Sequence, residues 1–458
     1  EAEVGGTLVI YSGRKERNWD WDADWQSAAT VEEGVWYSES FIPWTVVSMK
    51  PQEGNLRKIR IAFYRMLMGV GRGFSTVKGS PFQNVYLSVF KDYKVKNYSG
   101  SKLDFFPYAT LTEDIANSDL IAKSGAEIFW KIDSSRQVNM TINPDFGQVE
   151  SDEVVVNFSA FETFYSDKRP FFSENNNLFD VRSMMHRIIN TRRIGGKPDY
   201  DCSLFGEDEE YCQNNQADSS EIDFALKYTQ KGEVDFGFLT ASERDQKFSK
   251  GRDFYALRLN TKQDSLRYGY LGTYVNKPVF DSNAQVNSFD FEYLPSKVHR
   301  FTSNLLHSNV KETDGFGFSF GYRYDLNKDF SSGIGINYYD ENLDLNDMGY
   351  LILNDRMMFN GRTQFKKTSF SKDSIFRSRL YEIGYGSKFN ADSSRESSNF
   401  ALKLEANFID LSELKTEIFY RSTGKNTRIT RGSQLSPYIK MPKGTGGYIE
   451  FTGPRKPL

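Results

Sequence analysis

Residues 314–326 read DGFGFSFGYRYDL and alternate without a break. Phe316, Phe318, Phe320, Tyr322, Tyr324 and Leu326 fall on one parity, and Gly317, Ser319, Gly321, Arg323 and Asp325 on the other. Successive side chains of an extended strand point to opposite faces, so this stretch predicts a strand with one apolar and one polar surface. The same period of two recurs in SLRYGYLGTYV (265–275), where Leu266, Tyr268, Tyr270 and Tyr274 oppose Arg267, Gly269 and Thr273. It recurs again in NFALKLEANF (399–408), with Phe400, Leu402, Leu404, Ala406 and Phe408 against Lys403, Glu405 and Asn407. EIDFALKYT, EVDFGFLT, SFDFEYLP and GIGINYY follow the rule, and tight turns such as TQKGEV and DLNKDF join many of the segments. A soluble sandwich buries its apolar face against a second sheet and uses strands of about five or six residues. A membrane barrel turns that face to lipid and needs about nine to eleven residues per strand. Several segments here reach that length, and about a dozen of the kind are legible between Ile128 and Tyr420. The expected fold is therefore all-β, a transmembrane antiparallel β-barrel, with an array of soluble sandwiches as the competing architecture.

Composition fits. Of 458 residues, 15% are aromatic, with 38 Phe and 26 Tyr, yet the mean hydropathy is only −0.58. No run of 18 or so apolar residues exists to form a spanning helix, whereas a barrel hides its lipid face in a low average. So many aromatics argue against disorder. The net charge of −3 is interspersed, and no basic stripe of the kind that binds nucleic acid is present.

Residues 1–100 read differently. Five of the six tryptophans lie there, and short apolar runs such as TLVIYS, VWYSESFIPW and KIRIAFYRMLM alternate with Gly, Asn and Asp turns. This pattern predicts a partial β-sandwich ahead of a barrel over 101–458. Between Asn143 and about Ser219 the dyad stops for far longer than a hairpin turn requires. Loops of that length in compact proteins are functional or folded inward, so 143–219 is expected to line or plug the lumen. Only two cysteines occur, Cys202 and Cys212, within DYDCSLFGEDEEYC. Their spacing does not suit a CxxC pair, and a local disulfide, implying an oxidising compartment, is favoured over two free thiols.

The long insert also carries a family resemblance. NPDFGQVESD (143–152), VVNFSAFETFYSDKRPFF (155–172), LFD and then TRRIG from Thr191 resemble the signature of a large bacterial outer-membrane barrel family of unknown function. PYAT (107–110) resembles the opening of its barrel domain. Family members usually carry an N-terminal module similar to carbohydrate-binding family 9, and GVWYSESFIPW (34–44) resembles a strand pair near the end of that module. TRITRGSQL (427–435) resembles an interior block with more strands after it, and the N-terminal module looks shortened, so the chain is expected to be incomplete at both ends. The resemblance implies the bacterial outer membrane, with lipid, polysaccharide or another envelope protein as partners.

Candidate chemistry is sparse. Asn143, Asp145, Gln148, Glu150, Asp152, Glu162, Arg169, Arg192 and Arg193 form the candidate plug or lumen motif. Paired carboxylates serve glycosidases, but here ion pairing with the neighbouring arginines is the stronger reading, and no catalytic residue is assigned. Asp145, Glu150 and Asp152, with the acidic run Glu207–Glu210, offer oxygens for Ca²⁺ without matching any EF-hand spacing. A solvated acidic loop is the default, and no cofactor is expected. Trp19, Trp21 and Trp25 are candidates for stacking on sugar rings, with burial in a sandwich core as the alternative. The polar strand faces, with Lys227, Arg267, Arg323, Lys403 and Glu405, are expected to line a lumen. A platform for an envelope partner and an extracellular glycan hydrolase are the competing functions.

Overall fold

The computed structural model describes residues 25–44, 48–51, 53–67, 72–77, 90–97, 100–114, 119–144, 162–165, 167–174, 176–181, 183, 185–327, 329–371, 373–390, 395–423 and 443–453. Short strands come first: β1 (Gln26–Glu32), β2 (Val35–Phe41), β3 (Leu56–Ile61), β4 (Tyr64–Leu67), β5 (Arg72–Ser75) and β6 (Lys91–Lys96). They pair as three two-stranded ladders, β1 with β2, β3 with β6 and β4 with β5.

Long strands follow: β7 (Lys102–Asp114), β8 (Asp119–Lys131), β9 (Arg136–Ile142), then, after the insert with its two-residue β10 (His186–Arg187), β11 (Ile222–Gln230) and β12 (Val234–Glu243). β13 (Asp253–Gln263), β14 (Leu266–Lys277), β15 (Ser282–Tyr293), β16 (His299–Val310), β17 (Thr313–Tyr324) and β18 (Phe330–Tyr339) continue the series. After the two-residue β19 (Tyr350–Leu351) come β20 (Arg356–Lys367), β21 (Phe376–Phe389), β22 (Arg395–Phe408), β23 (Glu413–Thr423) and β24 (Lys443–Thr452). All except β10 and β19, which pair with each other, join one sixteen-stranded sheet in which sequence neighbours are spatial neighbours. Every pairing is antiparallel. The end strands β7 and β24 run in opposite senses, as a closing pair in an even-stranded barrel must. The all-β, antiparallel expectation is borne out.

Opposed residues of paired strands share a face, so register extends the dyad across the sheet. Lys227 stands opposite Asn139, Arg267 opposite Glu292, and Glu382 opposite Lys403, all on the polar face. That face is the covered one: Gln137, Asn139, Thr141, Lys227, Arg258, Ser288 and Ser308 are buried. The apolar face is the open one, with Leu257, Phe289, Leu305, Phe316, Ile383 and Ile418 exposed. Leu305 is 56% accessible while Arg258 is 5%. In a water-soluble sheet this polarity would be reversed.

The connections are also asymmetric. At one end they are 132–135, 231–233, 264–265, 294–298, 325–329, 368–375 and 409–412; the other end carries the long segments 143–221, 340–355 and 424–442. β7 begins at the short-turn end, and there the N-terminal portion touches the wall through Met49 N–H donating to Ser134 O at 2.7 Å.

Candidate functional site

The insert after β9 folds onto the polar face, beginning at a sharp turn. Asn143 has a left-handed backbone (φ 47°), a conformation that Asn tolerates better than most residues. Its amide N–H donates to Asp223 O at 2.7 Å, and its side-chain oxygen accepts from Arg244 at 3.0 Å. Arg244 also pairs with Asp223 (2.6 Å) and Glu221 (2.7 Å), which closes the neck of the insert.

Pro170 starts the one-turn helix α1 (Pro170–Ser173), whose Phe171 and Phe172 are wholly buried. Proline suits this position because the first helical N–H has no intrahelical partner. Lys227 reaches across from β11, and its ammonium donates to the carbonyls of Phe171, Phe172 and Glu174. Glu174 is held in turn by Lys131 at 3.1 Å and by Asn139 at 2.9 Å. Phe171, Phe172, Leu178, Phe179, Val181, Ile188 and Ile194 make one hydrophobic cluster with Ile222, Ala225, Leu239, Phe254 and Leu271 of the wall.

Arginines organise the interior of the insert. Arg169 chelates Asp167 (2.8 and 2.6 Å), donates to Ile194 O and Thr191 O, and lies 4.1 Å over the Phe172 ring. Burial opposes the charge on Asp167, but Arg169 and the Thr191 hydroxyl outweigh it and hold the carboxyl below the usual range. Arg193 pairs with Glu162 at 2.7 Å and donates to Gly349 O at 3.2 Å. Arg192 lies 5.8 Å from the Tyr165 ring. Glu243 accepts from Gly195 N–H (2.8 Å) and from Arg252 (2.8 and 2.9 Å), pinning the TRRIG turn to β12.

Residues 340–355, between β18 and β20, were not foreseen as part of this assembly. Leu343, Leu345, Met348 and Leu351 are buried in the same cluster, and β19 pairs with β10 as His186 opposite Leu351 and Arg187 opposite Tyr350. Asn190 N–H donates to Met348 O (2.7 Å) and Ile352 N–H to Met185 O (3.0 Å). The signal was available in DLNDMGYLIL, a connection with apolar rather than turn-like character. The inward segment is thus built from two loops of the same end.

Of the candidate residues, Asn143 lies at the neck, and Glu162, Arg169, Arg192 and Arg193 fall within the folded insert. Asp145, Gln148, Glu150 and Asp152 lie outside the described residues, as do Trp19 and Trp21. Trp25 is half-buried. Cys202 and Cys212 form a disulfide with Cα atoms 5.6 Å apart. It staples an exposed lobe containing the helix α2 (Glu209–Asn214), and Glu207–Glu210 are exposed on it. Among the described residues no group of three or more His, Cys, Asp or Glu is placed to hold a metal. Lys227 lies on the polar face but, being 2% accessible, is covered by the insert rather than open to a lumen.

Fold and site together define a protein class: a sixteen-stranded antiparallel sheet, apolar outside and polar inside, whose polar face is covered over part of its extent by its own loops. Residues 100–242 match the family described as "Domain of unknown function (DUF5916)". A comparison with curated proteins finds no match. Among solved structures, Pseudomonas aeruginosa OccK11 (OpdR) aligns at 10% identity and TM-score 0.31, covering 73% of this chain and 84% of that one. Pseudomonas aeruginosa OccK5 (OpdH) aligns at 12% identity and TM-score 0.29, covering 73% and 86%.

Proposed function

We propose that this chain is a bacterial outer-membrane β-barrel protein, its lumen narrowed by a plug made of the 143–219 insert and residues 340–355, that admits or exports small polar solutes. The observation that carries the reading is the inverted polarity of the sheet: exposed Leu257, Leu305 and Ile383 outside, buried Lys227, Arg258 and Glu292 inside. Lipid satisfies such an outer face, and an antiparallel barrel satisfies every wall N–H and C=O without water. Outer-membrane barrels put short turns in the periplasm and long loops outside. On that rule the plug enters from the cell exterior, and residues 1–100 lie on the periplasmic side. We propose this N-terminal portion as the glycan-contacting part, with Trp19, Trp21 and Trp25 as stacking residues.

The test has two stages. Gel mobility with and without boiling reads barrel closure, since closed barrels resist cold SDS; a species that migrates identically in both states counts against a barrel. In planar bilayers, deletion of 162–219 is expected to raise single-channel conductance several-fold, and unchanged conductance removes the plug. The platform reading draws support from the stapled lobe, where Leu204 and Tyr211 are exposed beside its carboxylates; a stoichiometric envelope protein co-purifying through that lobe would favour it. A hydrolase would need Glu162 or Glu150 as an acid or base, and Glu162 is engaged by Arg193.

A further inference from the structure

Most charges on the polar face are matched one to one. Arg258 forks onto Asp290, Arg362 onto Glu382, Lys403 pairs with Glu405 at 2.6 Å and Lys415 with Glu413 at 2.8 Å. One region breaks this rule. At the short-turn end of β13–β17, Lys262 stands directly opposite Arg267, and Arg300 directly opposite Arg323. Like charges facing each other across paired strands are destabilising. Glu292 lies between the two cationic pairs, 2.7 Å from Arg300 and 3.7 Å from Arg267, and Asp325 lies 2.8 Å from Arg323. Among the described residues, three arginines therefore share two carboxylates, and Lys262 adds a fourth cation beside Arg267.

The wall beside Arg323 is open at one position. Gly333 is the cross-strand partner of Arg323, whereas the neighbouring Gly321 and Gly335 are overlain by the Thr302 hydroxyl and the Asn360 amide. A methyl group placed on Gly333 would meet only backbone, Tyr322 O at 3.1 Å and the Arg323 Cα at 3.9 Å. The Arg323 side chain is 43% accessible. Open polar space thus adjoins guanidinium groups left with an excess of positive charge.

We propose that Lys262, Arg267, Arg300 and Arg323 form an oxyanion-binding patch on the inner wall, which takes a small solute bearing a carboxylate or phosphate group. Guanidinium forks match such groups bidentately, and a partly enclosed wall screens the attraction less than bulk water does. Glu292 and Asp325 offset the facing cations in part, and an arriving anion adds to that neutralisation. The patch deepens the solute-channel reading, on which it rests for water access.

The full chain, folded in detergent, would be titrated calorimetrically at low salt with inorganic phosphate and, separately, with succinate. Saturable binding of either is expected; phosphate alone assigns the phosphate class and succinate alone the carboxylate class. Arg300→Gln/Arg323→Gln should weaken binding at least tenfold, and Arg300→Lys should restore part of it. The double variant removes the facing pair together with its ion pairs to Glu292 and Asp325, so folding is read from the gel shift, and recovery of binding by Arg300→Lys, which restores the charge, separates an anion-binding role from a packing one. Binding of neither anion, or undiminished binding by the double variant, overturns the patch. The boiled and unboiled gel mobilities of the same samples separate the two failures: lost binding with a normal shift condemns only the patch, and a missing shift condemns the barrel.

Discussion

Lys227 shows how much one side chain can decide. It occupies a polar-parity position of β11, where an open lumen would leave its ammonium hydrated; instead the insert surrounds it and supplies three carbonyls. Lys227→Met keeps the bulk but leaves buried acceptors unpaired, at a cost of roughly 1–3 kcal/mol. Limited proteolysis should then cut within 162–219 faster while the wall keeps its heat-dependent gel shift. His186 makes the second residue-scale prediction. Its Nδ1 lies 2.9 Å from both the Tyr339 hydroxyl and the Ser183 hydroxyl, while Nε2 is buried with no partner. Burial pushes its pKa down from 6.5 to about 4. The folded state therefore resists a proton that the unfolded insert accepts, so its contribution is intact above 6.5, declines as pH falls toward 4, and levels off below. Proteolytic protection of the insert followed across that window should fall with acid, and His186→Gln should flatten this component.

At the scale of elements, the strands were legible and the insert's docking was not. The dyad marks which face a residue takes because the strand period is two, so Leu266, Tyr268 and Tyr270 against Arg267 and Gly269 could be assigned before any partner strand was known. The hollow at Gly237 was not legible: a Cβ there would stand 2.7 Å from Phe179 and 2.9 Å from Leu178, contacts between segments some sixty residues apart. Gly237→Val is expected to overpack this junction by about 1–3 kcal/mol and loosen the insert. A lowered denaturation midpoint for the insert, with barrel mobility unchanged, is the expected result; an unaltered midpoint would mean that this contact does not fasten the insert to the wall. The inward fold of 340–355 is not encoded locally, because β19 pairs with β10 more than a hundred and fifty positions away and Leu345 and Met348 join the insert's hydrophobic cluster.

For the whole molecule, the polarity of the sheet makes a prediction that separates lipid from water as its surroundings. Leu305 lies near the middle of β16 on the exposed apolar face. An arginine facing the bilayer midplane costs about 2–4 kcal/mol, whereas a surface substitution in a soluble protein usually stays within about 0.5 kcal/mol. Leu305→Arg should accordingly depress the folding stability measured in lipid vesicles by the larger amount. A change within the smaller range would place that face in water and return the soluble sandwich array to consideration.

Strand positions, strand lengths and the sorting of side chains between two faces were readable from residue order, because these depend on local geometry and on a period of two. The same order also marked 143–219 as an interruption and placed Cys202 and Cys212 within reach of each other. That two distant loops share one hydrophobic cluster, that Lys227 is capped rather than open, and that Lys262–Arg267 and Arg300–Arg323 become facing pairs emerges only once the strands and loops are assembled. Each of these depends on strand register and on contacts between remote segments, and no local periodicity encodes either.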